Sequence, residues 1–325
     1  MTVTLDHVRD AARRIAGHII RTPMLRDESL TVRLGQPVWM KCEYRQTTGA
    51  FKLRGATNAL LSLPPEALAR GVVTASTGNH GRALAHAARA LGVPATVCLS
   101  RLVPANKVKA IRDLGAELRI IGASQDEAME EVARAVENEG LTEIPPFDHP
   151  DVVAGQGTLG LEILEEIPAL GTLLIPLSGG GLAGGIAVAA KALDPRVRVI
   201  GVSMERGAAM AASLKAGHPV DVVEEATLAD SLGGGIGLRN RVTFDLYRAL
   251  LDQTILVTEA EIAEAMRHLA RAGHVVEGAA AVGHAALLSG KVRPEGPVVT
   301  LLSGGNIDPA LHARIMAGAN RVEPA

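Results

Sequence analysis

Short runs rich in β-branched residues alternate with alanine-rich stretches of helical periodicity along most of this 325-residue chain, and that alternation admits few architectures. Parallel strands cannot be joined by tight turns, so each pair needs a crossover of a dozen or more residues, usually a helix. The runs are Val38 to Cys42, Val72 to Ala75, Ala95 to Leu99, Glu117 to Ile121, Leu173 to Leu177, Val197 to Val202, Thr254 to Val257 and Val298 to Leu302. Most are apolar throughout rather than alternating, as strands covered on both faces must be. The expectation is an α/β fold of parallel sheets covered by helices. Capping boxes at Ser124 to Glu127 and Thr258 to Glu261 mark the starts of two surface helices. The first residues read as an amphipathic helix, with Leu5, Val8, Ala12, Ile15 and Ile19 on one face.

The length suits two domains. The polar, proline-interrupted run Leu141 to Asp151 reads as one crossing between them, and Pro64 and Pro65 as a second. This predicts a large domain from 1–65 and 148–325, with a small domain, 66–147, inserted between its segments. The uncharged stretch Ile167 to Ala190 is long enough to span a bilayer. Pro176 and six glycines divide it into a strand, a turn and a helix, so a membrane span is rejected. A net charge of -2 and only six aromatic residues offer neither a basic stripe nor stacking platforms, which argues against nucleic acid. The start of the chain lacks the apolar core of a signal peptide. Cys42 and Cys98 show no metal or disulfide spacing, so a reduced, cytoplasmic setting is expected.

Three glycine-rich turns follow strands: STGNHG (Ser76 to Gly81), SGGGLAGG (Ser178 to Gly185) and SGGN (Ser303 to Asn306). Ligands bind at the carboxyl ends of strands in open parallel sheets, and a glycine turn opening a helix presents bare N–H groups to an anion. Any one of these turns is as well explained by tight chain reversal; three together point to a cofactor pocket. Gly179, Gly181 and Gly184 also satisfy GxGxxG after a strand, with Glu205 downstream, so a dinucleotide is a competing reading. In GAFKLRGA (Gly49 to Ala56), Lys52 and Arg54 read in isolation as a solvated first helical turn. Beside phosphate-cradling turns, Lys52 reads instead as the carrier of a carbonyl cofactor, provided that it is partly desolvated.

FKLRGA, STGNHG, VVAGQGTLGLEIL, SGGGLAGG and LLSGGN together resemble the pyridoxal-phosphate enzymes of the serine/threonine dehydratase family, which includes serine racemases. The resemblance implies a two-domain fold type II enzyme, similar to the tryptophan synthase β subunit, and a homodimer. YRQTTGAFKLRGATNA, STGNHGRAL and TLADSLGGGIGLRNR most resemble the dehydratases of hydroxyectoine utilisation. Carried over by position, the resemblance makes Lys52 the Schiff-base lysine and the base at Cα, with Phe51 packed near the cofactor ring. Gly179, Gly180, Gly181 and Leu182 would hold the phosphate, with Ser178 standing where relatives have a fourth glycine. Asn79 would bond the phenolic oxygen, and Ser303 would face the pyridine nitrogen. Glu277 is either a glutamate near the cofactor or a helix-start acid. Ser76, Thr77, Asn79 and His80 would receive the substrate.

The implied reaction is elimination of water from a β-hydroxy amino acid, giving a 2-oxo acid and ammonia. A serine rather than an aspartate at the pyridine nitrogen makes the ring a weaker electron sink and favours prompt loss of the β-hydroxyl. Thr77 stands where the family's racemases have a serine acid and many dehydratases have alanine, so racemisation is an alternative. An amino-acid sensor without catalysis and a dinucleotide oxidoreductase are alternatives that do not need Lys52. Ala50 replaces the family's usual serine. Ser203 and Ala209 stand where metal-dependent members carry carboxylates, and no metal is expected. Arg54, Tyr44 and Arg239 are candidate substrate selectors. His149 reads as a loop residue, and His86 and His284 as ordinary helix histidines.

Overall fold

The computed structural model describes residues 3–76, 78–103 and 105–322. Its strands are β1 (Met24–Arg26), β2 (Val38–Lys41), β3 (Val72–Ala75), β4 (Ala95–Leu99), β5 (Glu117–Ile120), β6 (Thr142–Glu143), β7 (Thr172–Pro176), β8 (Arg198–Met204), β9 (Gln253–Val257) and β10 (Val298–Leu301). They form a six-stranded sheet in the order β1-β2-β10-β7-β8-β9 and a four-stranded sheet in the order β5-β4-β3-β6. Every pairing is parallel except that of β1 with β2.

The apolar runs follow from coverage on both faces. Leu174, Ile200 and Val202 join a cluster with the helices Glu259–Arg271 and Gly278–Leu288. Leu173, Ile175 and Val199, one residue out of phase, join a different cluster with the helix Gly181–Leu193. Successive side chains of a strand point to opposite faces, so both phases must be apolar. In the smaller sheet Val73 and Cys98 pack on the helix Gln125–Glu139, while Val97 and Leu99 face Ala85 and Ile111. The helix Lys52–Leu61 shares a buried cluster with Val72, Ala83, Leu84 and Val152, so it lies between the elements of the two sheets.

Both predicted capping boxes form. Ser124 Oγ accepts from Glu127 N at 3.2 Å and Thr258 Oγ1 from Glu261 N at 3.2 Å, with each glutamate accepting in return. A third box, Thr4 with His7, opens the helix Leu5–Ile15 and escaped the sequence reading because its partner is a histidine. That helix buries Val8, Ala11 and Ile15, a face shifted slightly from the predicted one. Two short strands were also not predicted. β1 is a three-residue edge strand, and β6 is two residues inside the run read as a crossing. The stretch from 167 to 190 breaks into β7, a glycine loop and a helix, and no described helix is long and apolar enough to cross a membrane.

Candidate active site

Lys52 opens its helix directly after a turn that is stitched to the SGGN segment. Phe51 N donates to Ser303 O at 3.0 Å, Gly305 N donates to Gly49 O at 2.9 Å, and Ala50 pairs with Gly304 in an isolated antiparallel bridge. Lys52 and Ser303 are distant in sequence and are brought together here by main-chain bonds. Ser303 is buried. Lys52 Nζ donates to Pro146 O at 2.6 Å and lies 5.2 Å from the Phe51 ring centroid. Burial pushes the Lys52 amine down to about 8, an effect that the Glu277 carboxylate offsets in part.

Pro146 is followed by Phe147, whose ring rests on the glycine loop. A Cβ on Gly179 would come within 2.4 Å of Phe147 Cγ, and one on Gly181 within 3.0 Å of Phe147 Cβ. Gly180, the N-cap of the helix Gly181–Leu193, has φ +85, a conformation that side chains other than glycine's rarely adopt. No side chain caps this helix. Its first N–H groups, in the turn that includes Leu182, are therefore available to an anion, and the helix dipole favours negative charge there. Ser178 is half-buried at the loop's entry.

Asn79 starts the helix Asn79–Leu91 and is the centre of a polar chain. Its Nδ2 donates to Glu277 Oε1 at 2.9 Å and Oε2 at 3.2 Å, and its Oδ1 accepts from Asn306 Nδ2 at 2.6 Å. Asn306 Nδ2 also donates to Thr48 O at 2.9 Å, and Arg82 donates to Asn306 Oδ1 at 3.0 Å. Glu277 is buried, and burial pushes its carboxyl up to about 7 against the hydrogen bonds from Asn79 and Ser231. It is also the N-cap residue of the helix Gly278–Leu288, but its side chain makes no cap hydrogen bond and turns to Asn79 instead. His80 is buried with Nε2 2.8 Å from Ile144 O and with Nδ1 unpartnered. Burial and the nearby Lys52 push it down to about 3, so it is a neutral imidazole. Ser76 Oγ accepts from Gly81 N at 3.2 Å within the turn. Thr77 lies outside the described residues.

Of the candidate selectors, Arg54 does not line this site. Arg54 is wholly buried, and its guanidinium bonds Glu43 at 2.9 Å to both carboxylate oxygens, Thr158 at 3.1 Å and Glu162 at 2.6 Å. Lys41, also buried, pairs with Glu162 at 2.8 Å and Glu166 at 3.3 Å. This ionic cluster ties the turn after Lys52 to the helix Pro150–Glu166, so neither the solvated-turn reading of Arg54 nor its role as a selector holds. Tyr44 bonds His274 Nδ1 at 2.8 Å, and Arg239 is exposed. His149 lies in the loop, as read, and is also the N-cap of the helix Pro150–Glu166, its Nδ1 accepting from Asp151 N. The sequence reading overlooked Pro146, Phe147, Ser231 and Arg82. It assigned Asn306 no role, although that residue closes the quoted SGGN motif.

Comparison with known proteins gives a consistent picture. The family model described as pyridoxal-phosphate dependent enzyme matches residues 15–304. A putative threonine dehydratase of Sinorhizobium fredii is 56% identical over 98% of this chain and 97% of its own length. An L-threonine ammonia-lyase of Geobacter sulfurreducens is 44% identical over 93% of this chain and 75% of its own. Among solved structures, serine racemase from maize superposes with a TM-score of 0.92 at 34% identity, covering 98% of both chains.

Proposed function

The chain belongs to the pyridoxal-phosphate-dependent enzyme family, and from that premise we propose that it is a lyase of the threonine dehydratase type, removing water from a β-hydroxy amino acid to release a 2-oxo acid and ammonia. Its α/β architecture of parallel sheets is that of fold type II, and its cofactor is pyridoxal 5'-phosphate. The residues present fit that cofactor. The uncapped helix start after Gly180 suits a phosphate, the Gly179 position leaves no room for a side chain beneath Phe147, and the Lys52 amine is partly deprotonated near neutrality. The bound cofactor supplies an electron sink that lets an amino acid ionise at Cα.

In this reading Lys52 holds the cofactor, and its amine, released when substrate binds, takes the proton from Cα; desolvation leaves it a usable neutral fraction. Gly179, Gly180, Gly181 and Leu182 bind the phosphate through main-chain N–H groups, with Ser178 beside them. Ser303 meets the pyridine nitrogen with a hydroxyl, which does not keep that nitrogen protonated. Phe51 packs beside the ring, and Asn79 orients the phenolic oxygen while Glu277 holds Asn79. Ser76, Thr77 and His80 form the turn that takes the substrate carboxylate. The single observation that carries the proposal is the convergence on Lys52. Its Nζ bonds Pro146 O, the adjacent Phe147 covers the glycine loop, and Phe51 N bonds Ser303 O.

The substrate range we propose is serine, threonine and longer β-hydroxy amino acids, the hydroxylated diaminobutyrate of hydroxyectoine breakdown among them. That last member rests on YRQTTGAFKLRGATNA and TLADSLGGGIGLRNR. A large domain of 1–65 and 148–325 with the small domain 66–147 between its segments belongs to the same proposal and rests on the proline-marked crossings, as a cytoplasmic setting rests on the pattern of Cys42 and Cys98 and a homodimer on the family resemblance. Racemisation at Thr77 is a second activity favoured by the likeness to maize serine racemase.

The test is a visible absorption spectrum of purified protein supplied with cofactor, then borohydride reduction and mapping of the labelled peptide. A panel of β-hydroxy amino acids is then assayed for 2-oxo acid, ammonia and product chirality. Label at Lys52 with 2-oxo acid formed supports the proposal. Protein that takes up no cofactor, or a Lys52→Ala variant that keeps its turnover, overturns it.

A further inference from the structure

The segment that covers the glycine loop cannot fasten itself. Pro145 and Pro146 have no N–H, so the run from Ile144 to Asp148 has few donors of its own and is held through its acceptors. The Ile144 carbonyl lies 2.8 Å from His80 Nε2, and the Pro146 carbonyl accepts from Lys52 Nζ at 2.6 Å. Asp148 makes the third tie. Its carboxylate accepts from Arg241 N at 2.7 Å, Val242 N at 2.9 Å and Thr243 N at 3.0 Å, and the Thr243 hydroxyl lies at 3.4 Å. These N–H groups open the helix Thr243–Leu250, whose own N-cap residue, Val242, gives no side-chain bond. An acid 95 residues earlier in the chain therefore caps that helix, at the end where the helix dipole favours negative charge.

The two elements that Asp148 joins are the two jaws on the glycine loop. On one side, Phe147 Cγ stands 2.4 Å from where a Cβ on Gly179 would be, and Phe147 O stands 3.0 Å from one on Gly181. On the other, Thr243 Cβ stands 3.1 Å from a Cβ on Gly180. Thr243 is itself fully buried, and Asn240 Nδ2 donates to its hydroxyl at 2.8 Å. Once Lys52 carries the cofactor it no longer offers Pro146 O a free ammonium, which leaves Asp148 as the tie next to Phe147. We propose that Asp148 is a positioning residue for the cofactor phosphate, clamping the Phe147 segment to the Thr243 helix so that the main-chain N–H groups of residues 179–182 keep one arrangement. This rests on the assignment of the phosphate to that loop in the function proposed above, and deepens it. A plain helix cap would add to stability and leave the phosphate's share of cofactor affinity unchanged.

The experiment strips the full chain of cofactor and titrates it with pyridoxal 5'-phosphate and with pyridoxal, which lacks the phosphate, reading protein fluorescence; borohydride reduction and peptide mapping check that both reach Lys52. Wild type is expected to prefer the phosphorylated ligand. Asp148→Ala should lose about 10- to 100-fold of that preference, the range of one hydrogen bond to a charged group, with its affinity for pyridoxal little changed. Asp148→Asn turns an amide NH2 toward a main-chain N–H and keeps one acceptor oxygen, so it should lose about 2- to 10-fold, and it decides the matter if the alanine variant does not fold. A preference unchanged in Asp148→Asn overturns the proposal, as does a loss in either variant that falls equally on both ligands. Gly179→Ala tests the premise separately: if it keeps the wild-type preference, or wild type has none, the phosphate does not sit on this loop and the proposal falls with that assignment. Neither ligand needs a substrate, so absence of 2-oxo acid from every β-hydroxy amino acid would sink the dehydratase reading and leave this binding result standing.

Discussion

Replacing Arg54 with methionine should be among the most destabilising single changes outside the apolar core. The guanidinium bonds both oxygens of Glu43, both of Glu162 and the hydroxyl of Thr158, and neither Arg54 nor Glu43 has exposed side-chain surface. Glu162 would keep Lys41 at 2.8 Å, but Glu43 would keep only the Thr22 hydroxyl. Removing one partner of a buried ion pair costs about 3–5 kcal/mol, because the other charge stays buried and unpaired. Apolar replacement of both partners is often neutral. Arg54→Met is therefore expected to lose about 3–5 kcal/mol. Arg54→Met with Glu43→Leu should return to within about 1–2 kcal/mol of wild type, the remainder being the Thr22 hydroxyl left without its acceptor. The assay is urea unfolding followed by the fluorescence of the single tryptophan, Trp39, which lies on β2 two residues from Lys41. A loss below about 1 kcal/mol in the single variant, or a double variant no better than the single, would refute the argument that the cost lies in the stranded Glu43 charge.

Gly179→Ala should weaken cofactor binding at least tenfold, because its Cβ would meet the Phe147 ring at 2.4 Å; fluorescence titration of apoprotein with pyridoxal phosphate reads this, and Phe147→Leu in the same chain should restore part of the loss. Acetylation of Lys52 in apoprotein should rise with a midpoint near pH 8, and Glu277→Gln should move that midpoint lower, since the carboxylate is what holds the amine up; an unmoved midpoint, read by peptide mass spectrometry, would separate the two groups. Glu277 itself is raised from 4.5 to about 7, so the native state holds a proton that the unfolded chain releases, and the fold loses stability as pH rises through that window. Glu277→Gln should therefore gain on wild type in urea midpoint between pH 5 and pH 8, and a constant gap would contradict the burial argument. Thr258→Ala should cost about 1 kcal/mol by removing the capping box, with Ser124→Ala as a parallel case on the smaller sheet.

The eight predicted runs coincide with strands to within a residue or two at their ends, because a strand covered on both faces writes a continuous apolar run into the sequence. β1 and β6 left no such mark, being short strands at sheet edges with one neighbour each. The glycine loop after β7 was legible because positive φ, close approach and bare N–H groups demand particular residues at particular places. Arg54 was misread, and the cap that His149 makes was not foreseen, for the opposite reason. Nothing local in FKLRGA tells a solvated arginine from one buried against Glu43 and Glu162, and nothing in FDHPD reveals that a histidine caps a helix.

The sequence by itself determined the parallel α/β architecture and the three glycine turns that follow strands, since each depends on periodicity or backbone freedom that neighbouring residues express. Only the tertiary structure decided which groups share a hydrogen bond across long gaps in the chain. Asn79 reaches Glu277, Asn306 reaches Thr48, Pro146 reaches Lys52, and Asp148 reaches Thr243. Burial and pairing at such positions are set by elements that meet only when both sheets are packed, and the altered proton affinities of Lys52 and Glu277 follow from that packing.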